Sequence, residues 1–91
     1  MIRARVIKSD GCFKCKSYLK YLKAQKYDIL IYDADLSDNQ EELDAWKIDA
    51  MPVVQIIDDE DDNKVLHQFP PGRYSLRVID AMIREKQGDQ Q

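Results

Sequence analysis

The two cysteines of this 91-residue chain, Cys12 and Cys15, are separated by Phe13 and Lys14. They follow a short apolar run at residues 2–7 and open a helical pattern. The amino terminus of a helix carries a partial positive charge and unpaired backbone N–H groups, which favour a thiolate over a thiol. Such a thiolate can attack a disulfide, and a second thiol three residues later can resolve the mixed disulfide that forms. The pair therefore has the parts needed for thiol–disulfide exchange.

Composition limits the classes to which the chain can belong. Its length predicts one domain over residues 1–91, and its apolar share of 44% is enough for a core. No apolar run approaches the roughly 20 residues that span a bilayer, so no membrane association is expected. A net charge of −3 argues against nucleic acid as a partner. The first residues enter a strand without the features of a signal peptide, which predicts a cytoplasmic protein.

Hydrophobic spacing predicts the element order β-α-β-α-β-β-α. Helices are expected from residue 13 to about 26, from residue 37 or 38 to about 47, and from about residue 76 onward. The expected strands are residues 2–8, 29–32, 53–57 and 65–69, and residues 86–91 are expected to form a frayed tail. The predicted class is therefore α/β, with helices covering both faces of a four-stranded sheet.

Three features in this order carry a resemblance to a known family. They are the Cys-x-x-Cys run at residues 12–15, the Met-Pro-Val-Val run at 51–54 before the third strand, and Gly72 after the fourth. A Cys-x-x-Cys motif beside a βαβ pattern is typical of thioredoxin-like redox proteins. Over about residues 2–86 the chain resembles the thioredoxin superfamily in its smallest, glutaredoxin-like form. The resemblance implies a thioredoxin fold with a four-stranded mixed sheet flanked by three helices.

The resemblance also assigns roles to individual residues. Cys12 is expected to be the exposed nucleophile, with a pKa below the free value of about 8.5 because of the helix terminus. Cys15 follows the inward spacing of the helix and is expected to be the buried resolving thiol. In this family the proline that matches Pro52 has a cis peptide bond and lies beside the cysteines. Met51 would then offer free backbone groups to an extended substrate or to glutathione.

Five further residues are predicted to surround the substrate. Lys8 and Lys14 can add Coulomb attraction for the thiolate, and Asp10 can cap the helix. Phe13 and Lys14 are the intervening residues that tune the reduction potential in this superfamily. Gly72 can form a tight turn, and Arg73 can hold a carboxylate. No metal site is predicted among these residues.

The chain also departs from both branches of the family. Thioredoxins have a tryptophan before the first cysteine and a buried acid in the preceding strand, where this chain has Gly11 and Val6. Glutaredoxins hold glutathione with an acidic residue after a Gly-Gly pair, where this chain has Arg73 after Gly72. The segment is similar to that of the glutaredoxin-like hydrogen donors of ribonucleotide reductase, which take electrons from thioredoxin reductase.

The favoured hypothesis is a monomeric dithiol–disulfide oxidoreductase without a tightly bound cofactor. Its candidate electron donors are glutathione and thioredoxin reductase. Its expected substrate is a protein disulfide, with ribonucleotide reductase as one candidate, or a glutathione mixed disulfide. The competing hypothesis is a non-enzymatic thioredoxin-fold module that binds a partner, or an iron–sulfur cluster shared by two copies, through Cys12. A zinc site is disfavoured, because tetrahedral zinc needs four ligands and the chain offers two cysteines and His67.

Overall fold

The computed structural model describes residues 1–89 and contains four strands and three α-helices. The strands are β1 (Ile2–Lys8), β2 (Leu30–Asp33), β3 (Val53–Asp58) and β4 (Lys64–Gln68). The helices are α1 (Phe13–Ala24), α2 (Gln40–Ala45) and α3 (Leu76–Asp89), and a 3-10 turn at Ser37–Asn39 precedes α2. This arrangement confirms the predicted order β-α-β-α-β-β-α. None of the helices within residues 1–89 is long and apolar enough to cross a membrane.

The strands form one mixed sheet in the order β2-β1-β3-β4. The central strand β1 pairs in parallel with β2 and antiparallel with β3, and β3 pairs antiparallel with β4. The end of β1 therefore lies beside the start of β3, where Ile7 is the partner of Val53. The acidic turn between β3 and β4 lies at the opposite edge, where Ile2 is the partner of Asp58. The chain leaves β1 toward the two cysteines at the edge where Ile7 pairs with Val53.

Each face of the sheet buries a separate apolar cluster. Helices α1 and α3 cover one face, where Tyr18, Leu22 and Ile79 pack on the even-numbered residues of β1. Helix α2 covers the other face, where Leu43 packs with Ile7. All five of these side chains are at most 5% exposed. Helices on both faces were expected from the sequence, and they hold the end of β1 rigidly between two packed layers.

Two helix boundaries differ from the sequence prediction. Helix α1 ends at Ala24, before the expected residue 26, because Lys26 has a left-handed backbone with φ 55°. The Tyr27 N–H then donates to the Leu22 carbonyl oxygen at 3.1 Å, which closes the helix end. The expected second helix begins as a 3-10 turn, and Ser37 makes no side-chain cap there, since Leu36 holds the cap position.

Helix α3 extends further than expected. It is helical through Asp89, so the predicted frayed tail does not begin at residue 86. An ion pair between Lys86 Nζ and the Asp89 carboxylate, 3.7 Å long, lies along its last turn. At the other end of α3 the Val78 N–H donates to the Ser75 hydroxyl oxygen at 3.4 Å, so Ser75 caps the helix. The last two residues of the predicted tail lie outside the described residues.

A row of polar side chains, two of them buried and the third half-buried, crosses the sheet beneath α2. Arg5 is only 7% exposed, and its Nε and Nη2 atoms donate to Gln55 Oε1 at 3.2 and 2.8 Å. Gln55 donates in turn to Gln68 Oε1 at 2.9 Å. The Arg5 guanidinium also lies 4.9 Å from the ring of Tyr32 and 5.2 Å from the ring of Trp46. We call Arg5, Gln55 and Gln68 the polar row.

Candidate active site

Cys12 occupies the N-cap of α1, with an extended backbone at φ −93° and ψ 106°. Its Sγ atom accepts the Cys15 N–H at 3.1 Å, one of the backbone donors that a helix leaves unpaired at its first turn. The predicted cap, Asp10, therefore does not cap this helix. Because the helix terminus directs an N–H at the sulfur, negative charge on that sulfur is stabilised.

Cys15 lies on the inward face of α1. It is 1% exposed and shares that face with Tyr18 and Leu22. In the structure its sulfur is bonded to that of Cys12, with the two Cα atoms 5.2 Å apart. Cys12 is half-buried, so it is the more accessible sulfur of the pair. An accessible first sulfur and a buried second one are the arrangement that exchange through a dithiol requires.

The loop before β3 lies against Cys12. The Met51 carbonyl oxygen is 3.6 Å from Cys12 Sγ, and the Met51–Pro52 peptide bond is cis, the conformation expected from the sequence. Gly72 fixes the other side of this loop, since its N–H donates to the Pro52 carbonyl oxygen at 2.9 Å. Within residues 1–89 the Met51 N–H makes no hydrogen bond. The backbone of Met51 therefore lies beside Cys12 Sγ, and its N–H is available to donate a hydrogen bond to a bound segment.

Five of the predicted substrate-binding residues line one cavity of about 350 Å³. The residues that line it are Lys14, Ala50, Met51, Pro52, Pro71, Gly72 and Arg73. The cavity lies between the start of α1, the loop before β3 and the segment that follows β4. The structure thus brings together Lys14 from the motif with residues that follow it by about 40 and 60 positions in sequence.

A second cavity of about 440 Å³ continues along α1 from Arg73. Its lining consists of Ser17, Tyr18, Tyr21, Arg73, Tyr74 and Ser75. Apart from Arg73, none of these residues was predicted to belong to the site. Ser17 and Tyr21 follow Lys14 at helical spacing, a signal that could have placed them on one face of α1 with it. We call the two cavities together the α1 groove.

Lys8 does not reach this groove. Its ammonium pairs with the carboxylates of Asp10 at 2.8 Å and Asp33 at 3.5 Å. The hydrogen bond to Asp10 raises the pKa of Lys8 and lowers the pKa of Asp10. Asp35 joins the same group, and the three carboxylates lie within 4.8 Å of one another. The charge of Lys8 is therefore neutralised locally, and its predicted role beside the substrate stays a prediction.

Three aromatic residues, Phe13, Trp46 and His67, lie outside the lining of the α1 groove. Phe13, between the cysteines, is 82% exposed and stands at the rim of the site. Trp46 packs with Ile7 beneath α2, and its ring meets Tyr32 edge-on at 5.2 Å. His67 is half-buried on β4 against Phe69, with ring centres 4.6 Å apart. Phe13 is thus the most exposed of these three aromatic residues.

Comparison with known proteins gives similarity in structure alone. No family model matches the sequence, and no curated protein is significantly similar to it. Thioredoxin 1 of the thermophilic eubacterium Thermosipho africanus superposes with a TM-score of 0.60 at 24% identity, covering 97% of this chain and 98% of its own. The reduced thioredoxin pre-protein of Schistosoma mansoni gives 0.62 at 21% identity, with coverages of 92% and 77%.

A third solved structure is the complex of ferredoxin:thioredoxin reductase with thioredoxin f2. One of its chains matches with a TM-score of 0.65 at 19% identity, covering 93% of this chain and 77% of its own. These similarities agree with the sheet order and with the cysteine pair at the start of α1. The chain has the thioredoxin fold.

Proposed function

We propose that this protein is a dithiol–disulfide oxidoreductase that acts on disulfides in other proteins. The observation that carries the proposal is the environment of Cys12 Sγ. This sulfur of a half-buried residue accepts a helix-terminal N–H at 3.1 Å and lies 3.6 Å from the carbonyl oxygen of Met51, which lines the α1 groove. Its partner Cys15 is buried three residues later. Nucleophile, resolving thiol and substrate groove thus meet at one edge of the sheet.

The reaction follows from the two sulfurs. The Cys12 thiolate attacks one sulfur of the partner disulfide, whose S–S bond breaks as the Cys12–partner bond forms. The other partner sulfur leaves as a thiolate and takes a proton. Deprotonated Cys15 then attacks Cys12 Sγ and displaces the second partner thiolate, which is also protonated. The partner disulfide is reduced by two electrons and the Cys12–Cys15 pair is oxidised by two.

The surrounding residues orient the partner. A partner segment that runs beside Met51 can donate to its carbonyl oxygen and accept its N–H, as an added strand does. This pairing would place a disulfide sulfur over Cys12. Gly72 contributes indirectly, because its bond to the Pro52 carbonyl oxygen holds the loop in place. Phe13 offers exposed apolar surface at the rim, so it can contact the partner as it docks.

The proposed electron donor is a thioredoxin reductase. Arg73 stands where glutaredoxins have the acid that holds glutathione, and this supports a protein donor. The structural likeness to a chain from a complex of ferredoxin:thioredoxin reductase with thioredoxin f2 gives further support. In this scheme the reductase attacks the Cys12–Cys15 disulfide and returns both thiols to the reduced state. The protein needs no bound cofactor of its own.

The test is NADPH consumption with a model protein disulfide. Electrons are supplied either by thioredoxin reductase or by glutathione with glutathione reductase. We expect turnover with thioredoxin reductase and little or none with glutathione. Turnover with glutathione alone would contradict the proposed donor, and activity with neither donor would contradict the proposed function.

Two single variants separate the roles of the cysteines. Cys12→Ser should abolish turnover, because no accessible nucleophile is left. Cys15→Ser should stop after the first step and accumulate a mixed disulfide with the partner, which mass spectrometry detects. A Cys15→Ser variant with undiminished turnover of the protein disulfide would contradict the assigned resolving role.

A further inference from the structure

The α1 groove is lined by positive charge, although the protein as a whole is acidic. Among its twelve lining residues the two charged ones are Lys14 and Arg73, and both are cations. Across residues 1–89 neither forms an ion pair with a carboxylate within 4.0 Å. The whole chain carries a net charge of −3, and its acidic turn lies at the opposite edge of the sheet. The groove is therefore a positively charged site on a protein of net negative charge.

Arg73 is fixed at the junction of the two cavities. Its Nη1 atom donates to the Ser17 hydroxyl oxygen at 3.3 Å, and that hydroxyl donates to the Lys14 carbonyl oxygen at 3.1 Å. The guanidinium is thereby tied to the first turn of α1. Its other N–H groups keep the planar fork that matches a carboxylate. An anionic side chain in the groove would meet Arg73 and Lys14 together.

The cavity beyond Arg73 is aromatic and held by hydrogen bonds. The Tyr18 hydroxyl donates to the Tyr74 carbonyl oxygen at 2.7 Å, and the Tyr74 hydroxyl donates to the Pro70 carbonyl oxygen at 2.8 Å. Tyr21 is 39% exposed at the open side. Rings fixed in this way present apolar surface without a large cost in conformational entropy. This cavity can therefore take an apolar side chain from the same partner segment.

We propose that the α1 groove selects partner proteins whose reactive disulfide is flanked by an acidic residue, and that Lys14 and Arg73 are the residues that select it. The occupant is an extended, acidic, disulfide-bearing segment of the partner. Its cysteine lies at Cys12, its acidic side chain at Arg73, and the following residue beside Tyr21. This inference rests on the proposed function and specifies its substrate class.

The test compares two peptide disulfides that differ at one position. One peptide has Glu within three residues of its disulfide cysteine, and the other has Gln there. The ratio of kcat/KM for the two peptides is measured for the wild type and for Lys14→Gln and Arg73→Gln. Lys20→Gln, on the exposed side of α1 and outside the groove lining, is the control for loss of a positive charge.

We expect the wild type to prefer the Glu peptide. Each groove variant should reduce that preference roughly 1.5- to fivefold, as expected for an exposed charge pair. The Lys20→Gln variant should keep the wild-type ratio. The preference should also weaken between about 0.05 M and about 0.5 M salt, because exposed charges are screened. Using the ratio cancels any effect of the variants on the reactivity of Cys12, which acts on both peptides alike.

Two results would overturn the inference in distinguishable ways. If the wild type reduced the Glu and Gln peptides equally well, the proposed preference for acidic partners would be wrong, while the proposed oxidoreductase function would stand. Equal losses on both peptides in the groove variants would show that the two cations act on the thiolate and not on the partner. Reduction of neither peptide, nor of the protein disulfide, would overturn the proposed function with it.

Discussion

The polar row makes a strong prediction about stability, because Arg5 is a buried cation whose hydrogen-bond partner is a neutral amide. Its guanidinium is 7% exposed and donates twice to Gln55 Oε1. Burial lowers the pKa of Arg5, which reflects the cost of holding this charge away from water. The informative perturbation is to replace Arg5 and Gln55 by methionine, singly and together.

The magnitudes follow from what each change leaves unpaired. Gln55→Met removes the acceptor of a buried charged donor, and such hydrogen bonds contribute about 1.5–3 kcal/mol to stability. Arg5→Met leaves Gln55 Oε1 buried without its donors, at a cost of about 1–3 kcal/mol. In the double variant neither the guanidinium nor the Gln55 Oε1 atom is left without its partner. Replacing a buried polar pair by apolar residues of similar volume often leaves the stability unchanged. We therefore expect the double variant to be at least as stable as the less stable single variant.

The assay is urea unfolding followed by fluorescence of Trp46, the sole tryptophan of the chain. Its ring lies 5.2 Å from the Arg5 guanidinium, so the probe is close to the change. Free energies from the four proteins give a double-mutant cycle, provided that the m-values agree. We expect a coupling energy of about 1 kcal/mol or more between the two positions, since the double variant avoids at least the smaller of the two single costs. If the loss of unfolding free energy in the double variant equalled the sum of the two single losses within about 0.5 kcal/mol, the account of the polar row would be refuted.

Three further predictions concern charged and titrating groups. Burial raises the pKa values of Tyr27 and Tyr32 to about 12. The free energy of unfolding should therefore keep its full value below about pH 10 and fall as the pH rises toward 12. Substituting Phe at either position should reduce that loss in urea titrations at high pH. Lys8→Gln should slow alkylation of Cys12 at neutral pH, because the neighbouring carboxylates lose their counter-charge; an unchanged rate would contradict this. Acetylation of the Met1 amine should lower the Tm at pH 7, and the difference should vanish above the raised pKa of that amine.

Local signals in the sequence were sufficient for most of the fold. The apolar run before the cysteines gave β1 with its observed bounds, and the N-cap position of Cys12 marks the predicted start of α1. The end of α1 was misplaced because Lys26 adopts a left-handed backbone without being glycine. No local rule of composition signals that conformation at a lysine.

The polar row could not be predicted from the sequence. Arg5 alternates with apolar residues on β1, a pattern that normally places a side chain in water. Its burial depends on Gln55, which is 50 residues away along the chain, and on two rings from other elements. Only the pairing of β1 with β3 brings these groups together.

The site was predictable where its chemistry is local. The two cysteines and Pro52 belong to short motifs, and the structure places them together as expected. Lys8 pairs with Asp10, which is local in sequence, and also with Asp33, which lies opposite it on β2 and is a neighbour that only the parallel pairing supplies. Helical spacing places Ser17 on the same face of α1 as Lys14, but its hydrogen bond with Arg73, 56 residues away, has no local signal.

The central claim is that Cys12 is the nucleophile and Cys15 the buried resolving thiol. The most direct measurement is alkylation of the reduced protein by iodoacetamide across a pH series, with each cysteine followed by peptide mass spectrometry. The account predicts that Cys12 reacts first, with a pH midpoint below the free cysteine value of about 8.5, while Cys15 stays largely unmodified in the folded protein. Equal reactivity of the two thiols, or a midpoint for Cys12 at or above that value, would contradict it.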